Sequence, residues 1–145
     1  MRNSFTLIEL LVVIGIISLI FLIGIPAFRA YQPSLQLSGT VRDLVTDLRY
    51  AGQLSVDEQI NHGIRFNIAD NKYEIIKFGE SEEVLETKSL PSEVDIQQIS
   101  GLSGNQVIFN PYGAAQESGT VAFINSRNAT SGVDIRPSGF VKVIK

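Results

Sequence analysis

From Leu10 to Phe28 the chain reads LLVVIGIISLIFLIGIPAF, without one charged side chain. Coiled as a helix rising roughly 1.5 Å per residue, such a run is long enough to cross the roughly 30 Å of hydrocarbon in a bilayer. It argues against a single uniform globule, because most of the surplus apolar surface sits at one end, and it predicts a membrane stage. The rest of the 145-residue chain is polar and mixed in charge, with acids crowded at Glu80, Glu82, Glu83, Glu86, Glu93 and Asp95, as in a water-soluble head. The net charge of -3 gives no general reason to expect a nucleic-acid partner.

There is no cysteine, so neither a disulfide nor a thiolate metal site braces the head and hydrophobic burial must do so alone. One histidine, His62, leaves little material for a zinc site or a Cys–His nucleophile, although serines and carboxylates remain. The expectation is a protein that is not an enzyme and needs no metal or cofactor.

Ahead of the apolar run stands MRNSFTLIEL, where Arg2 precedes a carboxylate, Glu9, set among Phe5, Leu7, Ile8, Leu10 and Leu11. A charge within an inserting segment costs about 2.5–3.5 kcal/mol at the bilayer centre and less toward the interface. Position alone leaves two readings open for Glu9, a residue at headgroup depth or one with a dedicated partner.

The string Ser4-Phe5-Thr6-Leu7-Ile8-Glu9-Leu10-Leu11 closely resembles the class III signal sequence of type IV pilins and type II secretion pseudopilins. The resemblance implies that a prepilin peptidase cuts between Ser4 and Phe5 and methylates the new amine of Phe5. Ser4 stands where the family most often has glycine. The resemblance also implies a partner for Glu9, the Phe5 ammonium of a neighbouring subunit in a filament. Opposite charges in a low-dielectric core attract strongly and either alone is penalised, so the pair would set the register between subunits. Glu9→Ala is then expected to insert in the membrane but assemble poorly.

The implied partners are other pilin or pseudopilin subunits, the prepilin peptidase, and the bacterial cytoplasmic membrane with its assembly platform. Arg2 favours a single pass with the amino end cytoplasmic, followed by a periplasmic or cell-surface filament. A conventional secretory signal fits poorly, because the run is long and no small-x-small site follows it. A plain single-pass anchor would not require the FTLIELL string.

Past the span, Leu37, Val41, Leu44, Val45, Leu48 and Ala51 recur at three- and four-residue steps, the mark of an amphipathic helix. The expected organisation is a leader over 1–4, a helix over 5–60 and an antiparallel head over 61–145. Within the helix, 5–28 forms the transmembrane and filament-core part, and 29–60 packs under the head. Pro26 removes a backbone donor and should bend the helix, with Gly15 and Gly24 as further weak points. Many pilins carry a proline at the matching place, which implies a bend or melted turn that helps subunits fit together. Gln32-Pro33-Ser34 offers a second interruption, with Ser34 as a cap, and Asn61-His62-Gly63 reads as the helical stop.

Beyond it the period shifts toward two. Ile64, Phe66 and Ile68 alternate, Ala69-Asp70-Asn71-Lys72 marks a turn, and Tyr73 to Phe78 completes a hairpin. Further short runs lie at Val84 to Leu90, Val94 to Ile99, Val107 to Phe109, Val121 to Ile124, Val133 to Ile135 and Phe140 to Ile144, separated by glycine and proline clusters. A long helix followed by about seven or eight strands is an α+β fold with an antiparallel sheet or sandwich head, which matches pilin architecture.

Within that family the carboxyl-terminal half resembles minor pseudopilins of the GspH and FimT type. The residues concerned are Phe109-Asn110-Pro111-Tyr112-Gly113, Ser118-Gly119-Thr120-Val121, and Ile135 through Val143. The implied function is a structural minor pilin or pseudopilin of a type IV pilus or type II secretion pseudopilus. The alternatives are a major pilin, or a pilus-displayed module that binds DNA or another ligand. The DNA reading would use Arg136, Lys142 and Lys145. Three cations in an acidic protein are few for phosphate contacts, and Phe140 stands where relatives often carry another basic residue. A membrane-tethered hydrolase ranks last, for want of a recognisable nucleophile and base. Gly101-Leu102-Ser103-Gly104 reads as a turn, Asn128-Ala129-Thr130 as a surface loop, and Glu80, Glu82 and Glu83 as a solvated turn without the oxygen spacing of a calcium loop.

Overall fold

A computed structural model describes residues 5–144. The chain divides into two units, Met1–Gln32 and Pro33–Lys145. One helix, α1 (Leu7–Glu58), supplies residues to both. In the first unit every residue from Phe5 to Arg29 is exposed. Here α1 is long and apolar enough to cross a membrane, and its helical hydrogen bonds satisfy the backbone polar groups that a lipid environment could not. The Ser18 hydroxyl donates to the Ile14 carbonyl at 2.8 Å, which spares it an unpaired polar atom in apolar surroundings.

The helix is unbroken at both prolines. Each removes one N–H from the i to i−4 ladder. The interruption expected at Gln32-Pro33-Ser34 is absent: Pro33 is a buried helical residue and Ser34 caps nothing, since the helix simply continues. Its true end also differs from the expected Asn61-His62-Gly63. Gln59 turns left-handed at φ 56°, and its side-chain amide donates to the Val56 carbonyl at 2.7 Å, so the last turn is closed from within. Asn61, His62 and Gly63 already belong to a strand.

In the second unit the helix buries Leu37, Val41, Leu44, Val45, Leu48, Ala51 and Ser55, one stripe at helical spacing. Eight strands follow: β1 (Asn61–Asn67), β2 (Lys72–Phe78), β3 (Glu82–Ser89), β4 (Val94–Ser100), β5 (Gln106–Phe109), β6 (Gly119–Asn125), β7 (Thr130–Ile135) and β8 (Val141–Ile144). A short turn of 3-10 helix, Ser103–Asn105, precedes β5. The strands form two antiparallel four-stranded sheets, ordered β3-β2-β1-β5 and β4-β6-β7-β8. This is the α+β architecture expected, a long helix followed by an antiparallel head.

One core is shared by the helix stripe and both sheets. It takes Ile64, Phe66, Tyr73, Ile75, Val107 and Phe109 from the first sheet and Val94, Ile96, Val121, Phe123, Val133, Ile135 and Val141 from the second. Alternation along β1 turns His62, Ile64 and Phe66 inward. Gly63 lies between β2 and β5, opposite Ile76 and Ile108, where a Cβ would run into the Val107 carbonyl oxygen. A glycine is required there by close backbone approach.

The β1–β2 turn couples the sheets. Asn71 adopts φ 49°, and its side chain donates to the Val94 carbonyl at 2.7 Å and accepts the Ile96 N–H at 3.2 Å, tying the hairpin to β4. Asparagine suits both demands, since it tolerates the left-handed region and carries a donor and an acceptor.

Candidate functional site

The expected assembly motif begins at the edge of the described residues: Ser4, Arg2 and the bond to be cut lie outside them, whereas Phe5 and Glu9 lie inside. Phe5 is 73% exposed. Thr6 precedes the first helical residue, and Glu9 is the third. The Glu9 N–H donates to the Thr6 hydroxyl at 3.3 Å, and the Thr6 N–H donates to Glu9 Oε2 at 3.4 Å. This reciprocal pair is a capping box, with bonds at the long end of the range. Glu9 therefore has an intramolecular task, closing the helix start, where its negative charge also suits the positive end of the helix dipole. The sequence reading missed Thr6, although the spacing T-x-x-E ahead of an apolar run is the signal for it.

A buried polar network forms where α1 meets the β2–β3 hairpin. Asp47, on the buried helix face, is 6% exposed. It accepts the Tyr73 hydroxyl at 2.6 Å and both of its oxygens accept from Lys88 Nζ, at 2.8 and 2.9 Å. A buried carboxylate is tolerated because its lone pairs are filled and its charge is matched. Burial, followed by the bond to Asp47, pushes the Tyr73 hydroxyl well above its ordinary value of 10.0. The same carboxylate holds Lys88 above its ordinary 10.5. Beside this network a cleft of about 590 Å³ opens between the helix and the end of β3.

A second node closes the helix end. The Ser55 hydroxyl lies 2.9 Å from the Ala51 carbonyl and 3.2 Å from that of Phe109, and it accepts the His62 N–H at 3.0 Å. The His62 ring is fully buried; Nδ1 lies 3.0 Å from the Ile60 carbonyl, and Nε2 is 3.4 Å from Glu58 without hydrogen-bond geometry. Lys77 donates to that Glu58 oxygen at 2.6 Å and draws the carboxyl below its ordinary value. His62 thus packs in the core instead of capping the helix. On the surface, Ser103 donates from its N–H (2.6 Å) and its hydroxyl (2.7 Å) to Glu117, which lowers that carboxyl also.

Of the residues weighed for DNA contact, Arg136 and Lys142 are among the described residues. Arg136 pairs with Asp134 at 3.3 Å and lies 5.8 Å from the centre of the Phe140 ring. Lys142 stands opposite the same Asp134 in the β7–β8 register, and Lys145 lies outside the described residues. In the acidic segment Glu82 pairs with Arg65 at 2.8 Å. Among the described residues no group of three or more His, Asp or Glu side chains converges to hold a metal ion.

The model of the family described as type II transport protein GspH matches residues 40–139, from the amphipathic part of α1 to the turn before β8. Among solved structures the chain is similar to the minor pseudopilin EpsH from the type 2 secretion system of Vibrio cholerae. That match has a TM-score of 0.65 and 8% identity, over 75% of this chain and 96% of that one. It is also similar to the type IV minor pilin FimU of Pseudomonas aeruginosa, with a TM-score of 0.62 and 13% identity, over 79% and 92% of the two chains. At these identities the likeness is one of fold. No curated protein sequence matches the chain.

Proposed function

Because the chain belongs to the GspH family of type II transport proteins, we propose that it is a structural minor pseudopilin or minor pilin, anchored in a membrane and built into a filament with other subunits of its kind. The observation that carries the reading is a head of this family joined to a helix whose residues from Phe5 to Arg29 are all exposed and uncharged from Leu10 to Phe28. Exposed apolar surface on that scale calls for lipid before assembly and for other apolar helices afterwards. The division of labour follows: the segment 5–28 spans and packs, 29–60 carries the head, 61–145 forms it, and residues 1–4 are a leader whose amino end stays cytoplasmic.

In this scheme prepilin peptidase cuts before Phe5, and Glu9 meets the Phe5 ammonium of a neighbour. The two tasks of Glu9 are compatible, because long capping bonds are cheaply exchanged for a charge-assisted one. Pro26 supplies a point of bending as helices pack together. The subunit itself catalyses nothing.

The test separates the cap from the charge. Glutamine serves a capping box as well as glutamate does but carries no charge. Glu9→Gln is expected to insert normally, keep its helix start and fail to enter filaments, while Glu9→Ala loses both functions. Normal incorporation of the Glu9→Gln chain into sheared filaments would refute the charge-pairing role.

A further inference from the structure

We propose that the cleft between α1 and the end of β3 binds a guanidinium or alkylammonium group. Its volume, about 590 Å³, lies in the range of small-ligand pockets. Its walls include Thr40, Asp43 and Asp47 from the helix and Tyr73, Lys88 and Leu90 from the sheet side. Two of the lining residues carry a buried polar atom that lacks a partner. Thr40 is 7% exposed and its hydroxyl makes no hydrogen bond; the Gln36 side-chain oxygen, also buried, makes none either. An unpaired buried polar atom has given up its hydrogen bonds to water without replacing them. The Gln36 oxygen can only accept, so the missing partner is a donor. A change of rotamer would turn either side chain toward a donor seated in the cleft.

Charge selects among donors. Asp43 makes none of the ion pairs found among the described residues, and Asp47 shares its charge with Lys88 alone. Glu86 lies 3.7 Å from that same Lys88. Asp47 and Glu86 thus flank one ammonium, and Asp43 adds a further carboxylate to the wall, which repels an anion and favours a cation. The upward shift of the Tyr73 hydroxyl, to which Asp43 and Glu86 contribute after burial and Asp47, reports the same negative field. Leu90 and Pro91 give the cleft an apolar wall for an alkyl stem. Such a cation is either a basic side chain of another protein chain or a free amine, and the site does not depend on filament assembly.

The full chain in detergent micelles, titrated with ethylguanidinium and with neutral ethylurea of similar shape, tests this by amide chemical-shift changes. Ethylguanidinium is expected to saturate shifts at Thr40 and Asp43 and to bind about tenfold tighter than ethylurea. Asp43→Asn should weaken it about fivefold. Thr40→Val should weaken it too while raising Tm, because it removes an unpaired buried hydroxyl; a purely structural threonine would not show that opposition. Equal affinity for ethylurea, unsaturable shifts, or an unaffected Asp43→Asn chain would overturn the proposal. Zero-length carboxyl-to-amine crosslinking in native membranes separates the sources. An Asp43 link to a lysine of another chain assigns a side-chain ligand; saturable probe binding without any such link assigns a free amine.

Discussion

Replacing Tyr73 with phenylalanine removes one oxygen from the Asp47 network and leaves the ring to pack against Phe66, whose centroid lies 6.1 Å away. The lost bond is 2.6 Å long and ends on a carboxylate that is 6% exposed. Hydrogen bonds to charged groups contribute about 1.5–3 kcal/mol, and Lys88 still holds the carboxylate in the variant, so the cost should be about 2 kcal/mol. Lys88→Met should cost only about 1 kcal/mol, because its side chain is 35% exposed and its charge partly screened. The double variant strands Asp47 in a dry site, and its cost should exceed the sum by roughly 1 kcal/mol or more. Denaturant unfolding of the detergent-solubilised chain, with m-values checked for constancy, measures all three. pH gives a second readout. Both Tyr73 and Lys88 have folded pKa values above their ordinary 10.0 and 10.5. Their contribution is therefore complete below about pH 10 and is lost as pH rises through the folded values. The alkaline fall in stability should be shallower in Tyr73→Phe. An additive double variant, or a Tyr73→Phe loss under about 0.5 kcal/mol, would refute the idea that Asp47 clamps the helix to the sheet.

Gly63→Ala should destabilise the head by about 3 kcal/mol or prevent folding, since the new methyl meets the Val107 carbonyl on a neighbouring strand; circular dichroism during thermal unfolding measures it. Glu117 has its pKa lowered by Ser103, so its contribution is present above its ordinary 4.5 and lost as pH falls. The acid limb of the stability curve should be shallower in Glu117→Gln, and an unchanged limb would show that the Ser103 bonds do not hold in solution.

Most of the fold was legible because it rests on local pattern. The stripe from Leu37 to Ala51 and the first hairpin announce themselves by period, the apolar segment as one long run, the later strands as short runs, and the turns by Gly, Pro and Asn. The helix end differs for a physical reason: Gln59 takes a positive φ that glycine or asparagine would ordinarily fill, so the local stop signal lies at Asn61 and not at the true end. His62 then looked like a terminus residue, whereas alternation in β1 carries it into the core. The Asp47 site could not be read in advance. Its partners lie 26 and 41 residues away, and nothing local distinguishes a buried aspartate on a helix from a solvated one. The cleft beside it is equally a product of how hairpin and helix meet. The role of Thr6 is legible in its three-residue spacing from Glu9, a signal that the charge of Glu9 overshadows.

In the proposed assembly an apolar helix leaves lipid to pack among others like it, after a cut before Phe5. Intact-mass and peptide mass spectrometry of this chain, recovered from sheared filaments of its native host, tests that most directly. The predicted result is a chain present in the filament fraction and beginning at a methylated Phe5. A chain that retains Met1 to Ser4 throughout functional material, or that stays in the membrane fraction and never enters filaments, would contradict it.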